Sequence, residues 1–182
     1  MPLIYIRHSD EESSDYTHRH DKKLTPYGQH LADKKGKKII EKYGQPDIIF
    51  CSPFRRTKQT VEMIKPYLNH PKIYYTTGLS RYFSERERRN TRLAPSTLKM
   101  EIPIHESYRD FSRRITDFVM DMDKYINSDQ VVWCVTHASV YKYISKIYSI
   151  ELPDYIPFMH DFKIKSRKWC QECRKYHKRS HF

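Results

Sequence analysis

Two histidines and several arginines in this chain follow directly on short apolar runs. LIYIRHSD (residues 3–10) carries four apolar or aromatic residues into Arg7 and His8. PDIIFCSPFRR (46–56) ends in the segment from Ser52 to Arg56, and VVWCVTHAS (131–139) turns polar at Thr136 and His137. A lone histidine after a strand is ordinarily a hydrogen-bonded or exposed residue. Two histidines and the arginines at matching strand ends are suited to more, because one imidazole can attack phosphorus while the cations and the other ring hold the oxygens.

These residues meet only if the three runs are neighbouring strands with their carboxyl ends on one side. The sequence between them supports that arrangement. LTPYGQHLADKKGKKIIEKYG (24–44) reads as a helix, with Thr25 as N-cap, Pro26 at the first helical position, a stripe of Leu31, Ile39, Ile40 and Tyr43, and Gly44 as the stop. A second helix is expected from about Arg55 to Tyr67, and a third strand in IYYTTG (73–78). Residues 79–104 lack a consistent period and are rich in arginine, serine and proline, so they read as a long excursion of the functional or disordered kind. From Ser107 to Ile126, apolar residues recur at helical steps: Tyr108, Phe111, Ile115, Phe118, Val119, Met122, Tyr125 and Ile126. VVWCVT (131–136) is apolar enough to lie in the middle of a sheet, a helix carrying Val140, Ile144, Ile147 and Tyr148 follows it, and FMHDFKIK (158–165) closes the pattern as a last strand. Alternating strands and helices predict an α/β protein, a three-layer α/β/α sandwich around a mostly parallel sheet. In such sheets ligands bind beyond the carboxyl ends of the strands.

Composition limits the partners. With 182 residues the chain makes one domain, and a net charge of +12 favours something anionic. Lys34, Lys35, Lys37 and Lys38 read as a solvated helix face. No apolar run approaches the roughly 18 residues needed to span a bilayer, and no signal stretch opens the sequence, so a cytoplasmic protein without a membrane partner is expected. Cys51 and Cys134 sit singly in apolar runs and give no disulfide framework, in keeping with a reducing compartment. The domain is expected over residues 1–165, with a basic tail over 166–182. That tail holds Cys170, Cys173, His177 and His181, ligand types suited to zinc, but the spacing between the two pairs is much shorter than in the usual zinc fingers. A basic tail is the better reading, and no metal or other cofactor is expected. Its cations could contact the phosphates of a nucleic acid, although no base-reading motif accompanies them.

Four segments in order, IYIRHSD, DKKLTPYGQHLA, CSPFRRTKQT and VTHAS, resemble the signatures of the histidine phosphatase superfamily, the phosphoglycerate mutase-like proteins. The resemblance covers residues 3 to about 164. It implies hydrolysis of a phosphomonoester on a small molecule or phosphoprotein. His8 would be the nucleophile that becomes phosphohistidine, and Arg7, Arg56 and His137 would bind the phosphoryl group. Arg55 falls on a variable position and is expected to add only supporting charge. The resemblance also implies a glycine where this chain has Ser9, which should narrow the backbone's freedom, and an asparagine where it has Ser14. The acid slot after the third strand holds Arg81, so Glu85 is the expected proton donor, with Glu87 and Glu106 as the other carboxylates weighed. VTHAS and the ESYRDFSRRI helix look most like the protein phosphatases of the ubiquitin-associated, SH3-bearing T-cell regulators. The mutase hallmark L-N-E-R-H-Y-G is absent, which favours a hydrolase over a mutase. Two other readings stay open: a phosphate- or phosphoprotein-binding member of the same fold without turnover, and a nucleic-acid-binding protein acting through its tail.

Overall fold

A computed structural model describes residues 2–13 and 18–164. Ser14 and the tail residues Cys170, Cys173, His177 and His181 lie outside the described residues. The sheet contains β1 (Leu3–Arg7), β2 (Ile48–Cys51), β3 (Lys72–Tyr75), β4 (Val132–Thr136) and β5 (Asp161–Ile164), in the order β3-β2-β4-β1-β5. The first four strands are mutually parallel, and β5 pairs antiparallel with β1 at the edge. Strand β4 is central, as its unbroken apolar run requires, and every one of its residues is buried.

Alternation along the strands feeds two cores. Leu3, Tyr5, Val132, Cys134 and Phe162 face one side, against Phe111, Ile115, Phe118 and Val119 of α5 (Tyr108–Met122) and Val140, Ile144 and Ile147 of α6 (Ala138–Ile147). Ile4, Ile6, Ile49, Cys51, Trp133 and Val135 face the other, against Ala32 and Ile39 of α1 (Pro26–Tyr43) and Val61 and Ile64 of α2 (Arg55–Ile64). The result is the expected three-layer sandwich. Helices α1 and α2 approach closely because Gly36 has no side chain: a Cβ there would meet Ile64 Cγ1 at 2.5 Å.

Local signals place the helix ends. Thr25 caps α1 by accepting from Gly28 N, and Ser107 caps α5 by accepting from Asp110 N. The segment expected as one helix to Tyr67 tightens after Ile64 into a 3₁₀ turn, Lys65–Tyr67, which contains Pro66. The helix expected to Ile126 likewise ends its α-form at Met122 and finishes in a 3₁₀ turn. Residues 79–104 hold two single-turn helices, α3 (Glu85–Arg88) and α4 (Pro95–Leu98). They are too short to give a periodic signal, which is why the sequence reads as an excursion there.

Candidate active site

Strands β1, β2 and β4 end side by side, and the residues just beyond them gather at the carboxyl edge of the sheet. His8 is buried, and its backbone N–H donates to Thr136 O at 2.9 Å, stitching the end of β1 to the end of β4. Its ring is oriented by one decisive contact: Nδ1 lies 2.7 Å from the carbonyl oxygen of Ser9. A carbonyl only accepts, so Nδ1 carries the hydrogen and Nε2 keeps its lone pair. Arg56, only 2% exposed, donates from Nε to that Nε2 at 3.2 Å. Burial first, and then the Arg56 charge, hold the His8 pKa well below the usual imidazole value, so the ring is neutral.

His137 stands beside it, with ring centroids 5.3 Å apart. Ser52 Oγ lies 2.7 Å from His137 Nε2, while Phe54 packs edge-on to the same ring at 5.0 Å. Nδ1 of the neutral ring is buried and has no partner among the described residues; where the Ser52 hydroxyl donates to Nε2, the ring hydrogen sits on Nδ1. In that tautomer Nδ1 is a buried donor available to an anion. Burial, then Arg56 and His8, keep this ring neutral as well.

The cations come from both sides. Arg7 donates from Nη1 to Ile156 O and lies over the Phe158 ring at 4.2 Å, while its buried Nε has no partner among the described residues. Arg56 also donates from Nη1 to His20 O at 3.0 Å, and it is ion-paired with Glu11 at 2.9 Å. Burial brings its pKa down to about 10, which leaves it charged at neutral pH. His20 aims its carbonyl from a left-handed backbone, φ 69°, a conformation unusual for a residue with a side chain. Arg55 is less enclosed: its backbone N–H donates to Asp21, and its Nη1 lies 3.2 Å from His18 Nδ1.

The α2 motif explains itself residue by residue. Thr57 donates to Ser52 O and Phe54 O, both at 2.7 Å, which folds the turn that presents Ser52. Gln59 accepts from Leu24 N at 2.8 Å, and Thr60 accepts from Ser9 N at 3.0 Å. Ser9 adopts no positive φ among the described residues, and its hydroxyl donates to Gly28 O at 2.6 Å, so the expected constraint from losing glycine is met without strain. The tight packing falls instead on Gly28, where a Cβ would meet Asp10 O at 2.1 Å.

The acid slot is where sequence and structure part. The structure does not bring Glu85 to this cluster: its side chain is 83% exposed and ion-paired with Arg89 at 3.5 Å. Ser84 caps α3 with the box that uses Glu87, and this turns Glu87 inward and Glu85 out. Glu87 pairs with Arg81 and lies 3.6 Å from His20 Nδ1. Burial works upward on its pKa, but hydrogen bonds from Ser84 and the charge of Arg81 outweigh it and hold the carboxyl below its usual range. Glu106 is occupied elsewhere, accepting from Arg114 Nε at 2.9 Å and Nη2 at 2.5 Å. Arg114 in turn donates to Thr77 O and Ser80 O, at 2.6 and 3.1 Å, so this pair holds the segment leading into Arg81. The sequence reading missed Glu11, although it stands three residues after the nucleophile candidate, and it missed the buried covering residue Asp21.

The arrangement can therefore hold a tetrahedral anion against a neutral imidazole nitrogen. Similar proteins have related architecture. An uncharacterised phosphoglycerate mutase family protein of Acanthamoeba polyphaga mimivirus is 28% identical over 175 residues, covering 80% of this chain and 78% of its own. Among solved structures, a mycobacterial glucosyl-3-phosphoglycerate phosphatase is similar with a TM-score of 0.65, 14% identity, and 89% and 90% of the two chains covered. A phosphohistidine phosphatase homologue from Agrobacterium tumefaciens, described as SixA, gives 0.63 at 15% identity, over 93% of this chain and 94% of that one. At such identities these structures share the fold alone. The family model of the histidine phosphatase superfamily (branch 1) matches residues 3–163, and the chain belongs to that superfamily.

Proposed function

We propose that this protein is a phosphatase that hydrolyses phosphomonoesters through a phosphohistidine intermediate on His8. The observation that carries the reading is the lone pair of His8 Nε2, fixed by the Ser9 carbonyl on Nδ1 and set among Arg7, Arg56 and His137. In this reading Nε2 forms a bond to phosphorus as the bond to the leaving oxygen breaks. Arg7, Arg56 and the free Nδ1 of His137 hold the equatorial oxygens, whose charge the pocket stabilises without rearranging. Water then attacks the phosphohistidine and releases phosphate. The substrate is a phosphorylated small molecule or phosphoprotein. A cytoplasmic setting fits the free, buried Cys51 and Cys134; no helix among the described residues is long and apolar enough to cross a membrane.

A second reading, a phosphate-binding member without turnover, is favoured by one feature: Arg81 stands in the slot where the resemblance puts an acid. One experiment separates the two. Turnover of p-nitrophenyl phosphate is measured for the protein and for His8→Ala, together with rapid-quench trapping of an acid-labile phosphoenzyme. Turnover and trapping in the first, and neither in the variant, are expected. Phosphate binding with no phosphoenzyme would establish the second reading, and equal turnover by both proteins would remove His8 from the role.

A further inference from the structure

A carboxylate other than Glu85 and Glu87 reaches Arg56, the residue that donates to His8. Glu11 lies three residues beyond His8, in a segment bridged antiparallel to Leu24 and held by Glu12 N donating to Lys23 O at 3.0 Å. Its side chain is 28% exposed, but Oε2 is fully buried and sits 2.9 Å from Arg56 Nε. That nitrogen is the one that donates to His8 Nε2 at 3.2 Å. It has a single hydrogen, and the hydrogen is given to His8. Glu11 Oε2 is thus attracted by charge yet receives no hydrogen bond among the described residues. A buried carboxylate oxygen with an open lone pair is costly, and this one shares its neighbour with the atom that attacks phosphorus.

The other carboxylates around the site are committed. Asp21 accepts from Arg55 N and Ala94 N, both at 2.9 Å. Glu87 is bound by Ser84 and Arg81, and Glu106 by Arg114. Only Glu11, of these four, has a buried oxygen left over.

Resting on the phosphohistidine reading above, we propose that Glu11 is the proton carrier of this site. A phosphomonoester dianion drawn in by Arg7, Arg56 and His137 displaces the carboxylate from Arg56 and stands beside it. Two like charges so close favour protonation of the carboxyl. In the first step the Nε2–P bond forms and the P–O bond breaks. The electron pair goes to the leaving oxygen, which takes the proton of Glu11 and departs as an alcohol. In the second step the Glu11 carboxylate takes a proton from water as its oxygen bonds to phosphorus. The N–P bond breaks, its electron pair returns to Nε2, and inorganic phosphate forms.

The test uses leaving groups of different need. The ratio kcat/KM is measured for an alkyl phosphate such as glycerol 2-phosphate and for p-nitrophenyl phosphate, with the protein, Glu11→Gln and Glu11→Asp. A positioned proton donor contributes about 10² to 10⁴ in rate, and nitrophenolate leaves without one. Glu11→Gln should therefore lose about that factor on the alkyl ester and far less on the aryl ester. The limb of the alkyl pH profile that follows this carboxyl should vanish in Glu11→Gln and persist, shifted, in Glu11→Asp. Equal losses on both esters would overturn the proposal in favour of a structural carboxylate. A gain on both would overturn it by showing that Glu11 merely fills the phosphate pocket. If the protein traps no phosphohistidine, the underlying reading falls and this one with it; trapping from the aryl ester with Glu11→Gln unchanged on the alkyl ester removes this proposal alone.

Discussion

His8 and His137 are both neutral, and for both the first cause is burial, with the Arg56 charge second. Neutrality suits a nucleophile and a hydrogen-bond donor, and it links the site to stability. Because the unfolded rings titrate near pH 6.5 and the folded ones well below, the unfolded chain binds protons that the native rings refuse as pH falls. Their contribution is therefore fully present above about pH 6.5 and is lost on acidification, at up to about 1.4 kcal/mol per pH unit for each ring. Urea unfolding from pH 7 to pH 5 should show stability falling across this window. His137→Gln, which cannot titrate, should show a slope shallower by about one histidine's share. An unchanged slope in the variant would mean that His137 is not held neutral in the native protein. The same residue scale explains why no glutamate of residues 79–104 could be assigned as a donor by reading alone. Which glutamate of a loop faces inward depends on caps such as Ser84 with Glu87.

At the scale of elements, the site is held by contacts between the starts of helices and the ends of strands. Helix α2 has no side-chain cap of its own, since Phe54 stands at its N-cap. Asp21, fully buried, accepts from Arg55 N and Ala94 N and so joins the loop after β1, the start of α2 and the start of α4. Asp21→Ala leaves one buried and one partly buried N–H group without this acceptor and should cost about 2–4 kcal/mol. That loss would appear as a lower urea midpoint with an unchanged m value. A loss of under about 1 kcal/mol would show that water replaces the carboxylate in this position. The strands and long helices were legible because burial imposes period two on β1 and a helical period on α5, as in Leu3 and Tyr5 against Ile4 and Ile6. His8, Arg56 and His137 were placed because strand ends share an edge. Asp21 and Glu11 were not: their neighbours lie 34 and 45 residues away along the chain, for Arg55 and Arg56 respectively, and no local pattern encodes such a meeting.

The whole molecule adds a long-range field to the local pocket. The net charge is +12, and the cations are not evenly remote from the site. Arg81 bears on His8, His137 and Arg56, Arg19 and Lys22 bear on His20, Arg86 and Arg88 lie on α3, and Arg89 stands at its C-cap. In the phosphatase reading, a dianionic substrate would be drawn toward the edge of the sheet before it touched Arg7 or Arg56. Exposed charges act over the screening length, about 30 Å at 0.01 M salt and about 10 Å at 0.1 M, whereas the buried groups around His8 are screened far less. Raising salt between these limits should lower kcat/KM for p-nitrophenyl phosphate several-fold, chiefly through KM, and leave kcat nearly constant. Substituting acetate for chloride at equal ionic strength should give the same curve, because field screening does not depend on which anion is present. A fall seen only with chloride would mean that chloride occupies the phosphate pocket. A salt-independent kcat/KM would mean that the buried cations alone capture the substrate and that the excess positive charge serves another partner.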